Sequence, residues 1–222
     1  MDERTRAGAE PREGSILVVR LVFEKRAGRK VKGEWLYLLF GEQFLLGREE
    51  GCEIRVIDDR VSRKHCLIKL EDDGAHLVDL GSTNGTYRNG QLVEEEIILE
   101  SKDRLNLAKV FTYQVRVCSR QGKLSSIRLV DGNEVYLLAR SEILIGNYHE
   151  GEDEVDLMVY DPSLKTAHAK IEHLYKNNII SVLEPEYPLK VNGKPAREME
   201  LKDGDLIELG ETAFRWKIIS FT

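Results

Sequence analysis

The amino-acid sequence predicts an all-β protein made of two consecutive β-sandwich domains. Short runs rich in β-branched and aromatic residues are separated by Gly, Asp and Asn clusters, as strands are separated by turns. No long stretch keeps a helical period between capping signals. The chain also repeats itself at a spacing of about one hundred residues, so one β-unit is used twice.

The strands are read in order. Ser15 to Phe23 and Glu34 to Phe40 are strand-like runs rich in β-branched or aromatic residues. Gln43 to Leu46, Cys66 to Leu70 and His76 to Asp79 follow, each short and bounded by polar clusters. Phe111 to Val117 alternates apolar and polar residues, the pattern of a half-buried strand. The repeat is explicit at several points. His65 in Lys64-His65-Cys66 recurs as His168 in Ala167-His168-Ala169, and Asn89-Gly90 recurs as Asn192-Gly193, both at an offset of 103. The segments Asp103 to Leu107 and Asp205 to Leu209 correspond, as do the closing runs Phe111 to Val117 and Phe214 to Ile219. The expected organisation is therefore a flexible tail over 1–14, a first domain over 15–118, a linker over 119–124 and a second domain over 125–222.

Composition narrows the function classes. Residues 1–118 carry 20 Lys and Arg against 21 Asp and Glu, and residues 119–222 carry 13 against 18. Neither half has the bulk basic charge of a nucleic-acid surface, so any anion recognition rests on a few placed cations. The longest apolar run, Trp35 to Phe40, is far shorter than the ~18 residues of a spanning helix. Met1 to Gly14 has no apolar segment of the secretory kind. Cys52, Cys66 and Cys118 form no CxxC or other metal spacing, which favours buried thiols and a reducing, cytoplasmic setting. No metal, cofactor, nucleic acid or membrane insertion is expected.

Three clusters in the first unit carry chemistry. Gly47-Arg48 ends an apolar strand, Ser62-Arg63-Lys64-His65 precedes another, and Gly81-Ser82-Thr83-Asn84-Gly85-Thr86 lies in a later loop. Loops at one end of a β-sandwich converge, so these distant segments can form one site. Arg48 and Arg63 offer planar donor forks that stay charged. Ser62 and Thr83 add hydroxyls, Asn84 has both donor and acceptor, and Gly81 and Gly85 permit positive φ and exposed N–H groups. This is a receptor for a dianion, with no catalyst in it.

The order Gly-Arg, Ser-Arg-x-His, Ser-Thr-Asn-Gly-Thr and Asn-Gly closely resembles the forkhead-associated (FHA) domain family over roughly Ser15 to Val117. The resemblance implies a β-sandwich whose end loops bind phosphothreonine peptides. Arg48, Ser62 and Arg63 would contact the phosphate with help from Thr83, and Asn84 would hold the ligand main chain. Gly47, His65, Gly81 and Gly85 would support the loops, His65 from behind. Arg60 would read the residue three positions after the phosphothreonine and favour an acidic one. The partners implied are a phosphothreonine protein and the Ser/Thr kinase that writes the mark.

The second unit keeps the scaffold and loses the donors. Gly47-Arg48 becomes Gly146-Asn147, Ser62-Arg63 becomes Lys165-Thr166, and Thr83-Asn84 becomes Glu186-Tyr187. The second unit is read as a degenerate copy used for docking or self-association, with Tyr160 and Tyr187 as packing or rim residues. Two other functions compete with this reading. Ser62, His65 and Asp79 hold the elements of a hydrolytic triad but lack the Gly-x-Ser-x-Gly elbow, and His168 with His173 makes a poor metal pair. A phosphate-independent scaffold is the alternative function. A disordered charged tail is the default reading of the N-terminus, and a phosphorylated Thr5 seated in the chain's own pocket is a subsidiary alternative to it.

Overall fold

The computed structural model describes residues 17–132, 134–147, 155–175 and 177–219. The expected tail over 1–14, with Thr5, lies outside them. The described residues form twenty-two strands and no helix, so none is long and apolar enough to cross a membrane.

A first hairpin, β1 (Leu17–Arg26) and β2 (Arg29–Phe40), opens the chain. Nine strands follow: β3 (Gln43–Gly47), β4 (Ile54–Arg55), β5 (Cys66–Leu70), β6 (Ala75–Asp79), β7 (Thr86–Arg88), β8 (Gln91–Leu92), β9 (Ile97–Leu99), β10 (Arg104–Leu107) and β11 (Phe111–Arg120). A second hairpin, β12 (Lys123–Asp131) and β13 (Glu134–Ala139), comes next. The remaining strands repeat the series: β14 (Glu142–Gly146), β15 (Leu157–Met158), β16 (Ala169–Leu174), β17 (Asn177–Val182), β18 (Leu189–Val191), β19 (Lys194–Pro195), β20 (Glu198–Glu200), β21 (Leu206–Leu209) and β22 (Thr212–Ile219).

These strands build one twelve-stranded sheet, ordered β19-β18-β21-β22-β1-β2-β13-β12-β11-β10-β7-β8, and two five-stranded sheets, β4-β3-β5-β6-β9 and β15-β14-β16-β17-β20. Each five-stranded sheet closes a hydrophobic core against one half of the long sheet. Successive strand residues point to opposite faces. In β2, Leu36, Leu38 and Phe40 enter the second core while Leu39 enters the first. In β13, Leu138 enters the first and Leu137 the second. The two small sheets therefore cover opposite faces of the long one, and its centre is buried on both sides.

The expected split into 15–118, 119–124 and 125–222 is corrected here. Residues 119–124 are not a linker: Ser119 and Arg120 end β11, and Lys123 and Leu124 begin β12. Gln121 and Gly122 both have positive φ, 52° and 76°, the conformation of a two-residue hairpin turn. Such a turn folds the chain straight back, so β12 pairs antiparallel with β11, with Val117 opposite Ile127. The first sandwich thereby takes its outer hairpin from the head of the second repeat. The N-terminal hairpin in turn pairs with β22, setting Leu21 against Trp216 and Phe23 against Phe214. The two repeats have exchanged hairpins, and the hairpins meet where β2 and β13 pair in parallel, Tyr37 beside Tyr136.

Candidate functional site

The three clusters converge as the sequence predicts. Arg48, Ser62, Arg63, Thr83 and Asn84 line one surface cavity of about 370 Å³, together with Asp59, Arg60, Val61 and Lys64. Backbone bonds set the frame. The Arg48 and Glu49 N–H groups donate to the Ser62 and Arg63 carbonyls, each at 3.1 Å, so the loop after β3 rides on the loop before β5. Gly47 lies so close to this contact that an added Cβ would collide with the Arg63 carbonyl.

His65 is fully buried behind the cavity. Its Nδ1 accepts the Ser62 N–H at 3.1 Å, which leaves Nε2–H to donate to the Gly85 carbonyl at 3.1 Å. One neutral ring thus ties two of the loops together. Burial lowers its pKa below the usual value and keeps it in the form this bonding requires. Ser62 Oγ accepts the Thr83 N–H at 3.0 Å, and Asn84 Nδ2 donates to the Arg60 carbonyl at 2.8 Å. Gly81 and Gly85 have φ of 73° and 77°. The hydrolytic alternative does not assemble, because His65 meets the main chain of Ser62 rather than its hydroxyl and Asp79 is engaged elsewhere.

Asp79 is a fastener that sequence reasoning missed. Its carboxylate accepts the Gly81 and Ser82 N–H groups at 2.9 and 2.8 Å and the hydroxyls of Ser82 and Thr86 at 2.6 and 2.5 Å. Burial works to raise its pKa, but the hydrogen bonds from Ser82 and Thr86 prevail and hold it below the ordinary carboxylate range. The visible signal was an Asp two residues before a glycine turn, the pattern of a side chain capping its own loop. Asp58 was missed as well. It grips Arg60 through Nε at 2.9 Å, Nη2 at 2.8 Å and the backbone N–H at 2.9 Å. Those hydrogen bonds pull its pKa down to about 2.

The cavity's charge follows from this pairing. Arg60 is neutralised by Asp58, whereas Arg48, Arg63 and Lys64 have no ion-pair partner among the described residues. Against them stands Asp59, so the lining carries a surplus of two positive charges. A phosphate monoester at pH 7 carries about −1.5 to −2.

The second unit reproduces the frame without this surplus. Asn147 N–H donates to the Lys165 carbonyl at 2.8 Å, and His168 N–H donates to the Ile145 carbonyl at 2.9 Å, as His65 does to Leu46. Asn192 bonds Asp205 and Leu206 as Asn89 bonds Asp103 and Arg104. At the loops the likeness ends. Leu183 N–H meets the His168 carbonyl as Leu80 meets His65, which aligns Val182 with Asp79 and removes the fastening carboxylate. Tyr187 stacks on the His168 ring at 4.7 Å. His173 packs instead on Phe40 and bonds Asn178 at 3.0 Å, so the two histidines do not share a site. Cys52, Cys66 and Cys118 are all buried, and none forms a disulfide among the described residues.

Residues 44–108 match the FHA domain family model, a stretch that contains every lining residue of the cavity. The first sandwich thus carries an FHA domain. Among curated proteins the chain is 34% identical over 96 residues to the proliferation marker protein Ki-67 of Homo sapiens, covering 43% of this chain and 3% of that one. It is 36% identical over 76 residues to the glycogen accumulation regulator GarA of Mycobacterium tuberculosis, covering 31% of this chain and 46% of GarA. The chain thus spans less than half the length of these relatives. A solved structure from a study of phosphothreonine-dependent FHA domain interactions is 33% identical, with a TM-score of 0.30, covering 41% of this chain and 88% of that one.

Proposed function

We propose that the first sandwich is a phosphothreonine-dependent protein-interaction module acting downstream of a Ser/Thr kinase. The observation that carries this reading is the convergence of Arg48, Arg63 and Lys64, none with an ion-pair partner among the described residues, on a cavity whose net charge matches one phosphate dianion. Arg48 and Arg63 bind the phosphate through charge-assisted forks, Ser62 and Thr83 complete its donors, and Asn84 holds the ligand main chain. Each charge-assisted hydrogen bond contributes roughly 1.5–3 kcal/mol. Three or four of them account for micromolar affinity, about −8 kcal/mol. The match of residues 44–108 to the FHA domain and the phosphothreonine-dependent interactions studied for such domains agree with it. No step of this reading requires bond making or breaking, so the module acts by binding alone.

The second sandwich is proposed as a degenerate FHA-like copy with a structural or docking role. Glu184 and Glu186 are exposed where the first unit offers donors, and Tyr187 is spent on His168.

Titration calorimetry with one peptide in its phosphothreonine, phosphoserine and unphosphorylated forms tests the function. Only the phosphothreonine form is expected to bind well. Arg48→Ala is expected to weaken it at least tenfold, about 1.5–3 kcal/mol, with the unfolding midpoint unchanged. Equal affinity for all three forms would favour the phosphate-independent scaffold.

A further inference from the structure

Two side chains beside the cavity have no place in phosphate binding. Asp58 is one. It binds the Nε–Nη2 edge of the Arg60 guanidinium with both carboxylate oxygens, although that side chain is 63% exposed and water would solvate it equally well. Arg60 is otherwise held by its carbonyl, which takes the Asn84 amide. The cation that the family resemblance offers as an acid reader therefore arrives with its own carboxylate attached.

Ile57 is the other. It is 79% exposed, among the most exposed large apolar side chains of the described residues. It sits at the apex of a tight turn, because the Asp58 N–H bonds the Val56 carbonyl at 3.0 Å. The next link, Val61 N–H to the Asp58 carbonyl at 3.0 Å, brings the chain straight into the cavity wall of Asp59 to Lys64. An isoleucine held in water by a turn gains nothing for the fold. Placed two residues before the lining of a binding cavity, it is positioned to be covered by whatever enters.

We propose that Asp58 sets the specificity of the site: it masks Arg60, so the ligand carries an aliphatic rather than an acidic residue near its phosphothreonine, and Ile57 is the surface that this residue covers. The inference rests on the phosphothreonine reading of the same cavity. The charge balance supports it. With Arg60 paired to Asp58, the charges of Arg48, Arg63 and Lys64 are balanced by Asp59 and the phosphate together, so a neighbouring ligand carboxylate meets no net positive charge among the described lining residues.

The test is a phosphothreonine peptide library in which each position within three residues of the mark is varied among Ile, Leu, Ala, Asp and Lys, read against the full chain. Wild type is expected to favour Ile or Leu over Asp at one position, by roughly four- to fifteenfold, the return on one or two buried methylenes. Asp58→Asn retains the backbone acceptor for Val61 and frees Arg60, and it is expected to shift that preference to Asp. Adding Arg60→Ala to Asp58→Asn is expected to cancel the shift. Ile57→Ser is expected to flatten the aliphatic preference without creating an acidic one. A wild-type preference for Asp, or no response to Asp58→Asn, overturns this inference and leaves the phosphothreonine reading standing. Binding that ignores the phosphate overturns both.

Discussion

At the scale of single residues, the site depends on groups that never face the ligand. His65 joins Ser62 to Gly85 only while its Nδ1 carries no proton, and burial enforces that state. The sign of the resulting pH dependence follows. The unfolded chain binds a proton near pH 6.5 that the folded one refuses, so stability falls as pH drops through and below that value. His76 behaves in the opposite sense. The hydrogen bond to Asp73 raises its pKa, so its contribution is present at lower pH and is lost as pH rises through the raised value. A two-dimensional NMR titration of the imidazole rings should place the His65 midpoint below 6.5 and the His76 midpoint above it; the reverse order would contradict the bonding described. The contrast also marks what a sequence displays. Arg48, Ser62, Arg63, Thr83 and Asn84 were legible because their side-chain chemistry suits a phosphate directly. Asp79 and Asp58 were not, because a carboxylate that fastens a loop looks like any surface acid until its donors are seen around it.

At the scale of elements, the junction between the sandwiches is held by a buried carboxylate. Asp156 accepts Arg120 Nη1 at 2.9 Å, the hydroxyls of Ser125 and Ser126 at 2.6 Å and the Leu144 N–H at 2.8 Å. Its backbone carbonyl takes Arg128 Nη2 at 2.6 Å. One partner comes from β11, two from β12 and one from β14, so a single side chain, itself fully buried, pins β11 and β12 to the second unit. Removing one member of a buried, hydrogen-bonded ion pair typically costs about 3–5 kcal/mol, since the partners lose their acceptor while remaining desolvated. Asp156→Ala should lower the urea unfolding free energy at pH 7 by that order; a loss below about 1 kcal/mol would mean that the junction is held by the apolar faces alone. Strand positions were largely legible from the sequence: Cys66 to Leu70 is β5, and Gln43 to Leu46 is β3 less its last glycine. Partnership was not, because Asp156 is remote in sequence from Arg120 and no local pattern links them. The continuous run Trp35 to Phe40 did carry a signal, since strands buried on both faces read as unbroken apolar stretches.

At the scale of the whole molecule, the exchanged hairpins make the tandem one body, and its folding unit is not its repeat unit. The core under the cavity takes Leu124, Ile127, Leu129, Tyr136 and Leu138 from beyond residue 118, and, among the described residues before 43, Val18 and Leu39 with Tyr37 packed against it. A fragment of residues 15–118 therefore loses a hairpin's worth of its own core and leaves one edge of β11 unpaired. A fragment of residues 43–139 keeps both, at the cost of exposing Val135 and Leu137. The turn at Gln121-Gly122 makes this arrangement local, because β12 reaches β11 through two residues whereas β1 is some ninety residues from it in sequence. A short loop closes with less entropy loss than a long one. Residues 43–139 are thus expected to unfold cooperatively and to retain phosphothreonine binding, while 15–118 shows a broad transition and weak binding, as followed by near-ultraviolet circular dichroism and peptide titration. If 15–118 folds and binds as the full chain does, β1 and β2 can replace β12 and β13 on β11, and the exchange is one of two arrangements open to the repeat. If it does not, the second sandwich serves recognition without touching the ligand, by supplying two strands on which the first is built.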